Sequence, residues 1–125
     1  MDHVPTGCRA LDELLGGGVE TGCITLLYGE AGSGKTNVVL QVARLLRVSR
    51  KSEIPVVLTS QVYTDIERGT IEPLGGHMLS HNCKTLVRLE KVGPALRRAV
   101  RVKHRHLAEG HAVKFRLTDR GVEDA

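Results

Sequence analysis

The sequence predicts an α/β fold: a mostly parallel sheet with helices on both faces, continued by antiparallel strands toward the C-terminus. Three observations carry this. Residues 29–36 read Gly-Glu-Ala-Gly-Ser-Gly-Lys-Thr, a complete G-x-x-x-x-G-K-[ST] phosphate-binding loop between an apolar run at 24–28 and a helical pattern from Asn37. Residues 55–60 form a short continuous apolar run, the mark of a parallel strand covered on both sides. Three later strand-like segments, at 85–91, 98–104 and 112–118, are joined by turn residues at Gly93 and Pro94 and at Ala108, Glu109 and Gly110.

Taken in order, residues 6–18 read as a short helix with Thr6 as a possible N-cap, Leu11, Leu14 and Leu15 as its apolar face, and three glycines to end it. Val19 to Thr21 lead through Gly22 into the first long strand. After the phosphate loop, Val38, Val39, Val42, Leu45, Leu46 and Val48 recur at helical spacing and form a buried face. Arg44, Arg47 and Lys51 line another side, as a solvated face does. Residues 62–82 are polar and glycine-rich and read as a long exposed loop. In the last segments, the alternation from Ala99 to Lys103 sets Arg101 and Lys103 on one face of a strand.

The loop has chemical content. Gly29, Glu30, Ala31, Gly32, Ser33 and Gly34 can wrap backbone N–H groups around phosphate oxygens, and the helix N-terminus adds positive potential. Lys35 can reach the β- and γ-phosphates, and the Thr36 hydroxyl can ligate Mg²⁺. An ordinary glycine turn is the plain alternative, and the strand–loop–helix context argues against it.

Composition bounds the rest. The 125 residues suit one domain, and 41% hydrophobic content supports a core. With no Trp, two Tyr and one Phe, that core is aliphatic. No apolar stretch is long enough to span a bilayer. Cys8, Cys23 and Cys83 lack metal or redox spacing and read as reduced thiols of a cytoplasmic protein. His77 and His81 are four apart but have no nearby third ligand, so no metal site is expected there. The net charge of +4 is uneven: residues 84–125 hold eleven Lys/Arg against five Asp/Glu. Beside a phosphate-binding loop, a basic half points to a nucleic-acid partner more than to a solvated strand face.

Two separated blocks resemble the RecA/RadA recombinase superfamily and, more closely, its archaeal RadB-type paralogues. The first joins Pro5, Thr6 and Gly7 to residues 11–18, Gly22 and the phosphate loop. The second runs from residues 55–62 through 73–77, 86–89, 103–105, 115–118 and 121–124. KaiC-like ATPases share the first block, and the second separates the two. The resemblance implies a RecA-like core, ATP with Mg²⁺ as cofactor, and DNA as a partner held through its phosphates without sequence preference. It further implies a RadA-type recombinase or other repair protein as a second partner, a cytoplasmic, nucleoid-associated location, and a chain that starts at the ATPase core without a separate N-terminal DNA-binding domain. Gln61 falls where the family couples the γ-phosphate to a DNA-facing loop, here residues 62–78; taken alone, a Gln at a strand end is a surface polar residue. Lys103, His104 and Arg105 stand where RadA-type recombinases carry the acidic and proline residues that cap a neighbour's ATP. Basic residues there imply that this subunit does not build the standard filament interface. With Arg97, Arg98 and Arg101 they make up the expected DNA contacts.

One departure is large. Between the phosphate-loop helix and the strand at 55–60 the family has two more strands, which carry the catalytic Glu and the Walker B Asp. Here the helix runs almost directly into that strand, and no run of four apolar residues ends in Asp. The expectation is a single domain over residues 1–125 with an internal deletion near residues 43–46, leaving the strand at 55–60 beside the phosphate-loop strand with an apolar edge exposed. Function is then ATP and DNA binding in recombination and repair with weak or absent hydrolysis. Open alternatives are a small-molecule P-loop kinase with an arginine-rich lid, a KaiC-like ATPase, and a non-functional truncated remnant.

Overall fold

The computed structural model describes residues 3–49, 55–65, 70–73 and 82–125. The chain opens with β1 (His3–Val4), α1 (Arg9–Leu14) and β2 (Val19–Glu20), and β1 pairs antiparallel with β2. Then come β3 (Ile24–Gly29), α2 (Lys35–Ser49) and β4 (Val56–Ser60). A small antiparallel ladder of β5 (Val62–Asp65) and β6 (Thr70–Pro73) follows. The chain ends in β7 (Thr85–Lys91), β8 (Leu96–Lys103), β9 (Ala112–Thr118) and β10 (Gly121–Asp124).

The main sheet has six strands in the order β10-β9-β8-β7-β3-β4. Pairing is parallel where β3 meets β4 and β7, and antiparallel from β7 through β10. The sheet is therefore mixed, and its parallel part is confined to three strands. Short turns explain the difference: β7 to β10 are linked by connections that permit only antiparallel neighbours. As expected, β4 lies beside β3 and forms the edge, where Val56 is 46% exposed.

Alternation along β3 sends Leu27 to one face and Leu26 and Tyr28 to the other. The larger cluster joins Leu11 and Leu14 of α1 and Val38 and Val42 of α2 to Leu27, Val87, Leu89, Ala99 and Phe115. A smaller one on the opposite face gathers Leu26, Tyr28, Cys83 and Leu86, with Leu58 and Val102 against it. Among the described residues both helices thus serve the same face of the sheet, where helices on both faces were expected.

Two polar clamps close the ends of the chain on each other. The Gln41 side chain on α2 donates to the Thr6 and Val122 carbonyls at 2.7 and 3.0 Å, and its Oε1 accepts from the Val122 N–H at 2.8 Å. At the start of α1 the N-cap position is Cys8, whose own side chain caps nothing. The Asp124 carboxylate supplies the cap instead, accepting the Ala10 N–H at 2.7 Å and the Cys8 thiol at 3.3 Å. Thr6, the expected N-cap, spends its hydroxyl on the Asp12 carboxylate and the Cys8 carbonyl. A remote carboxylate can cap a helix as well as a local one, because the orphan N–H needs only an acceptor.

Residues 62–82 are also not a loop throughout, since β5 and β6 pair from Val62 opposite Pro73 to Asp65 opposite Thr70. His77 and His81 lie outside the described residues. No described helix is long and apolar enough to cross a membrane.

Gln41→Ala leaves two carbonyls and one N–H without their partner and is expected to cost about 2–3 kcal/mol, read from the denaturant midpoint. The Asp124 carboxyl is held below its ordinary value of 3.8, chiefly by the Ala10 N–H. Its contribution to stability is therefore complete above that value and lost as pH falls through the depressed one. Melting curves of Asp124→Ala and the unmodified chain are expected to differ at pH 7 and to converge at the acid end.

Candidate functional site

The residues expected at the phosphate loop converge. β3 ends at Gly29, α2 begins at Lys35, and the loop between them turns through Gly32 and Gly34 at φ of +79° and +106°. Those left-handed angles strain any residue with a Cβ. Gly29 has a separate reason to be glycine. A Cβ there would overlap the Leu89 carbonyl oxygen of neighbouring β7 and stand 2.7 Å from the Ser33 hydroxyl. Gly34 packs against Phe115 and Leu117 of β9, where a Cβ would sit at 3.4 Å.

Lys35 folds back over the loop and donates to the carbonyls of Gly29 at 2.6 Å and Glu30 at 2.9 Å. Burial holds its ammonium below the usual lysine range, against the opposing pull of the Glu30 carboxylate. The Ser33 hydroxyl is fully buried and, among the described residues, has no hydrogen-bond partner. A cavity of about 270 Å³ opens above the loop, lined by Ala31, Gly32, Gly34, Lys35, Thr36, Asn37 and Gln61. Gln61, just beyond the end of β4, therefore faces the same space as Lys35 and Thr36. The parallel pairing of β3 with β4 brings it there, because both strands end at the same rim.

The expected DNA-contact residues do not stay together. Arg97 and Arg101 point inward and are only 7% and 8% exposed. Arg97 donates to the carbonyls of Gly32 and Gly93 at 2.9 Å and Leu96 at 3.0 Å, and Arg101 to those of Ala108 at 2.6 Å and Leu14 at 2.9 Å. Lys103, half-buried and opposite Leu86 beyond a register shift, donates to the Cys83 carbonyl at 3.0 Å. The His104 ring binds the Leu15 carbonyl through Nε2 at 3.0 Å, while its Nδ1 accepts the N–H groups of His106 and Leu107. Arg105 is exposed and pairs with the buried Glu20 at 3.4 Å. Arg101 and Lys103 were expected on one face, but a register shift in the β7–β8 pairing breaks the alternation: Arg101 stands opposite Val87 of the larger cluster and Lys103 opposite Leu86 of the smaller one. The Arg97 and Arg101 guanidiniums serve carbonyls that loops bring under the sheet.

The outward face of the same strands carries what the alternation did not reveal. Arg98 faces Lys114 directly across β8 and β9, and Arg116 lies two residues further along β9 on the same side. Lys114 and Arg116 are exposed. Arg98 and Arg88 both pair with Glu90 of β7. Burial works to raise the Glu90 carboxyl, but these two hydrogen-bonded guanidiniums outweigh it and hold it below the ordinary carboxylate range. Reading 112–118 for its own alternation would have found Lys114 and Arg116.

Comparison with known proteins agrees with this architecture. The Rad51 family model matches the chain in two pieces, residues 1–44 and residues 38–125. The chain belongs to the Rad51 family. Among curated proteins it is similar to the DNA repair and recombination protein RadB of Halobacterium salinarum, with 27% identity over 225 positions that take in 98% of this chain and 95% of that one. The RadB of Thermococcus sibiricus is 42% identical over 89 residues, which is 71% of this chain and 39% of that protein. A crystal structure of the RadB recombinase superposes with a TM-score of 0.82 at 24% identity, covering 98% of this chain and 99% of that one. The fold is RecA-like, as the resemblance implied.

Gly29→Ala forces a methyl group against backbone that cannot yield. It is expected to destabilise the fold by about 2–3 kcal/mol. Gly32→Ala meets only the flexible Lys91 side chain and should cost about 1 kcal/mol, through its φ alone. Paired urea melts would show whether this order holds.

Proposed function

We propose that this Rad51-family chain binds magnesium ATP at the phosphate loop, binds DNA through an outward basic face, and serves recombination and repair as the proteins named RadB do. The observation that carries the nucleotide half is the shared cavity of Lys35, Thr36 and Gln61 above the loop. The residues fit a magnesium-bound triphosphate. Gly32 and Gly34 leave a concave run of backbone, Thr36 offers a hydroxyl for the metal, and Lys35 needs only to leave two carbonyls to meet a phosphate. The lowered lysine affinity for its proton comes from burial, and an anion in the cavity would reverse it. Gln61 is positioned to report the terminal phosphate to β5, which starts at the next residue.

Hydrolysis is expected to be negligible. Phosphoryl transfer depends on carboxylates that hold the metal and orient a water, and none of the described residues lining the cavity is an acid. Glu30 belongs to the loop but does not line that space. An internal deletion near residues 43–46 accounts for this lack. It is supported by the two-piece family match meeting on α2 and by an alignment with the Halobacterium protein that is far longer than the chain. The position of β4 as an edge strand beside β3 is in keeping with strands lost beyond it.

For DNA, Arg98, Lys114 and Arg116 replace the buried Arg97 and Arg101 of the expected set. Arg105 remains outward but tied to Glu20, and Lys103 and His104 are engaged internally. Contacts from such side chains hold phosphates without reading bases.

Lys35→Ala is expected to abolish magnesium-ATP binding in calorimetry while leaving the melting curve in place; undiminished heat would refute the nucleotide reading. Binding to duplex DNA is expected to weaken with salt at a log–log slope of about −3, for roughly three neutralised phosphates. Lys114→Gln with Arg116→Gln should flatten that slope by about two, whereas a slope unchanged by both would remove the basic face from the DNA site.

A further inference from the structure

The Arg97 guanidinium joins the phosphate loop to the turn between β7 and β8 by hydrogen bonds to both. Its Nε donates to the Gly32 carbonyl at 2.9 Å. Its Nη1 donates to the carbonyls of Gly93, Leu96 and, more distantly, Pro94 at 2.9, 3.0 and 3.5 Å. The stem of Lys91, the last residue of β7, also lies against Gly32, with Cε 2.8 Å from where a Cβ would stand. The β7–β8 hairpin thus meets Gly32 through two of its side chains.

This matters because of what Gly32 must do. An anion-binding loop works through the direction of its N–H groups, and a peptide plane swings its N–H and C=O together. Fixing the Gly32 carbonyl on Arg97 fixes the orientation of the Ser33 N–H, which donates to the Glu30 carbonyl at 3.1 Å and closes the loop. A carbonyl left free at a glycine with positive φ has alternative orientations open to it. A lysine in place of Arg97 keeps the charge, but its single compact ammonium cannot serve the loop and the turn with the planar fork that does so now.

We infer that Arg97 is a positioning residue for nucleotide binding: it holds the phosphate loop in its phosphate-ready shape and ties that shape to the β7–β8 turn. This rests on the reading of the loop as a nucleotide site. It assigns to Arg97 a role in the ATP site in place of the DNA contact expected from its charge.

Arg101 provides a matched control. It is equally buried on the same strand, also bonds only backbone carbonyls, and touches neither the loop nor the turn. Magnesium-ATP affinity would be measured by calorimetry on the full chain, on Arg97→Lys and on Arg101→Lys, with melting temperatures alongside. Arg97→Lys is expected to bind about tenfold more weakly or worse, while Arg101→Lys melts lower but binds as the unmodified chain does. In Arg97→Ala, low concentrations of guanidinium ion should restore part of the lost affinity. Undiminished affinity in Arg97→Lys would overturn the inference. So would an equal loss in Arg101→Lys, since the effect would then be general destabilisation. If the unmodified chain itself binds no nucleotide, the underlying site reading fails, and that result is distinct from either of these.

Discussion

Gly29 stands where β3, β7 and the phosphate loop meet, and there is no room at that point for a single added carbon. The Leu89 carbonyl oxygen of β7 occupies the space a Cβ would take. Because β3 and β7 are parallel neighbours, in register from Thr25 opposite Thr85 to Gly29 opposite Leu89, the loop leaves the sheet at a height set by β7. The further glycines follow from that departure: Gly32 turns beneath Lys91, and Gly34 packs on Phe115. The loop is thus moulded by strands that lie more than fifty residues away in sequence.

The same economy explains the interior arginines. Turns and short connections under the sheet leave carbonyls that no strand or helix satisfies, and a buried carbonyl without a donor is costly. Arg97 and Arg101 supply several donors each from one strand, so two side chains close the β7–β8 turn, the phosphate loop, the segment after β8 and the end of α1. Gln41 and Asp124 do the corresponding work at the chain's two ends. Charge spent in this way is structural, whereas Arg98, Lys114 and Arg116 point outward from the antiparallel strands.

Much of this was legible residue by residue. The apolar run before the glycines, the helical spacing after them and the strands at Thr85–Lys91 and Ala112–Thr118 all formed as their patterns required. Burial of the arginines was not legible, because alternation says which residues share a face and not which face the helices cover. The β5–β6 ladder was hidden for a related reason: its pairing depends on two short segments finding each other, and neither has a strong pattern of its own.

By itself the sequence determined the phosphate loop, its strand–loop–helix setting and the place of β4 beside β3. These are local signals, readable from chemistry within a few residues or from a family pattern carried by such stretches. Only the tertiary structure decided that Asp124 caps α1 and that Arg97 turns inward to hold Gly32. Each of those joins residues far apart in the chain through a direction in space, and direction is set by packing once the sheet has chosen its faces.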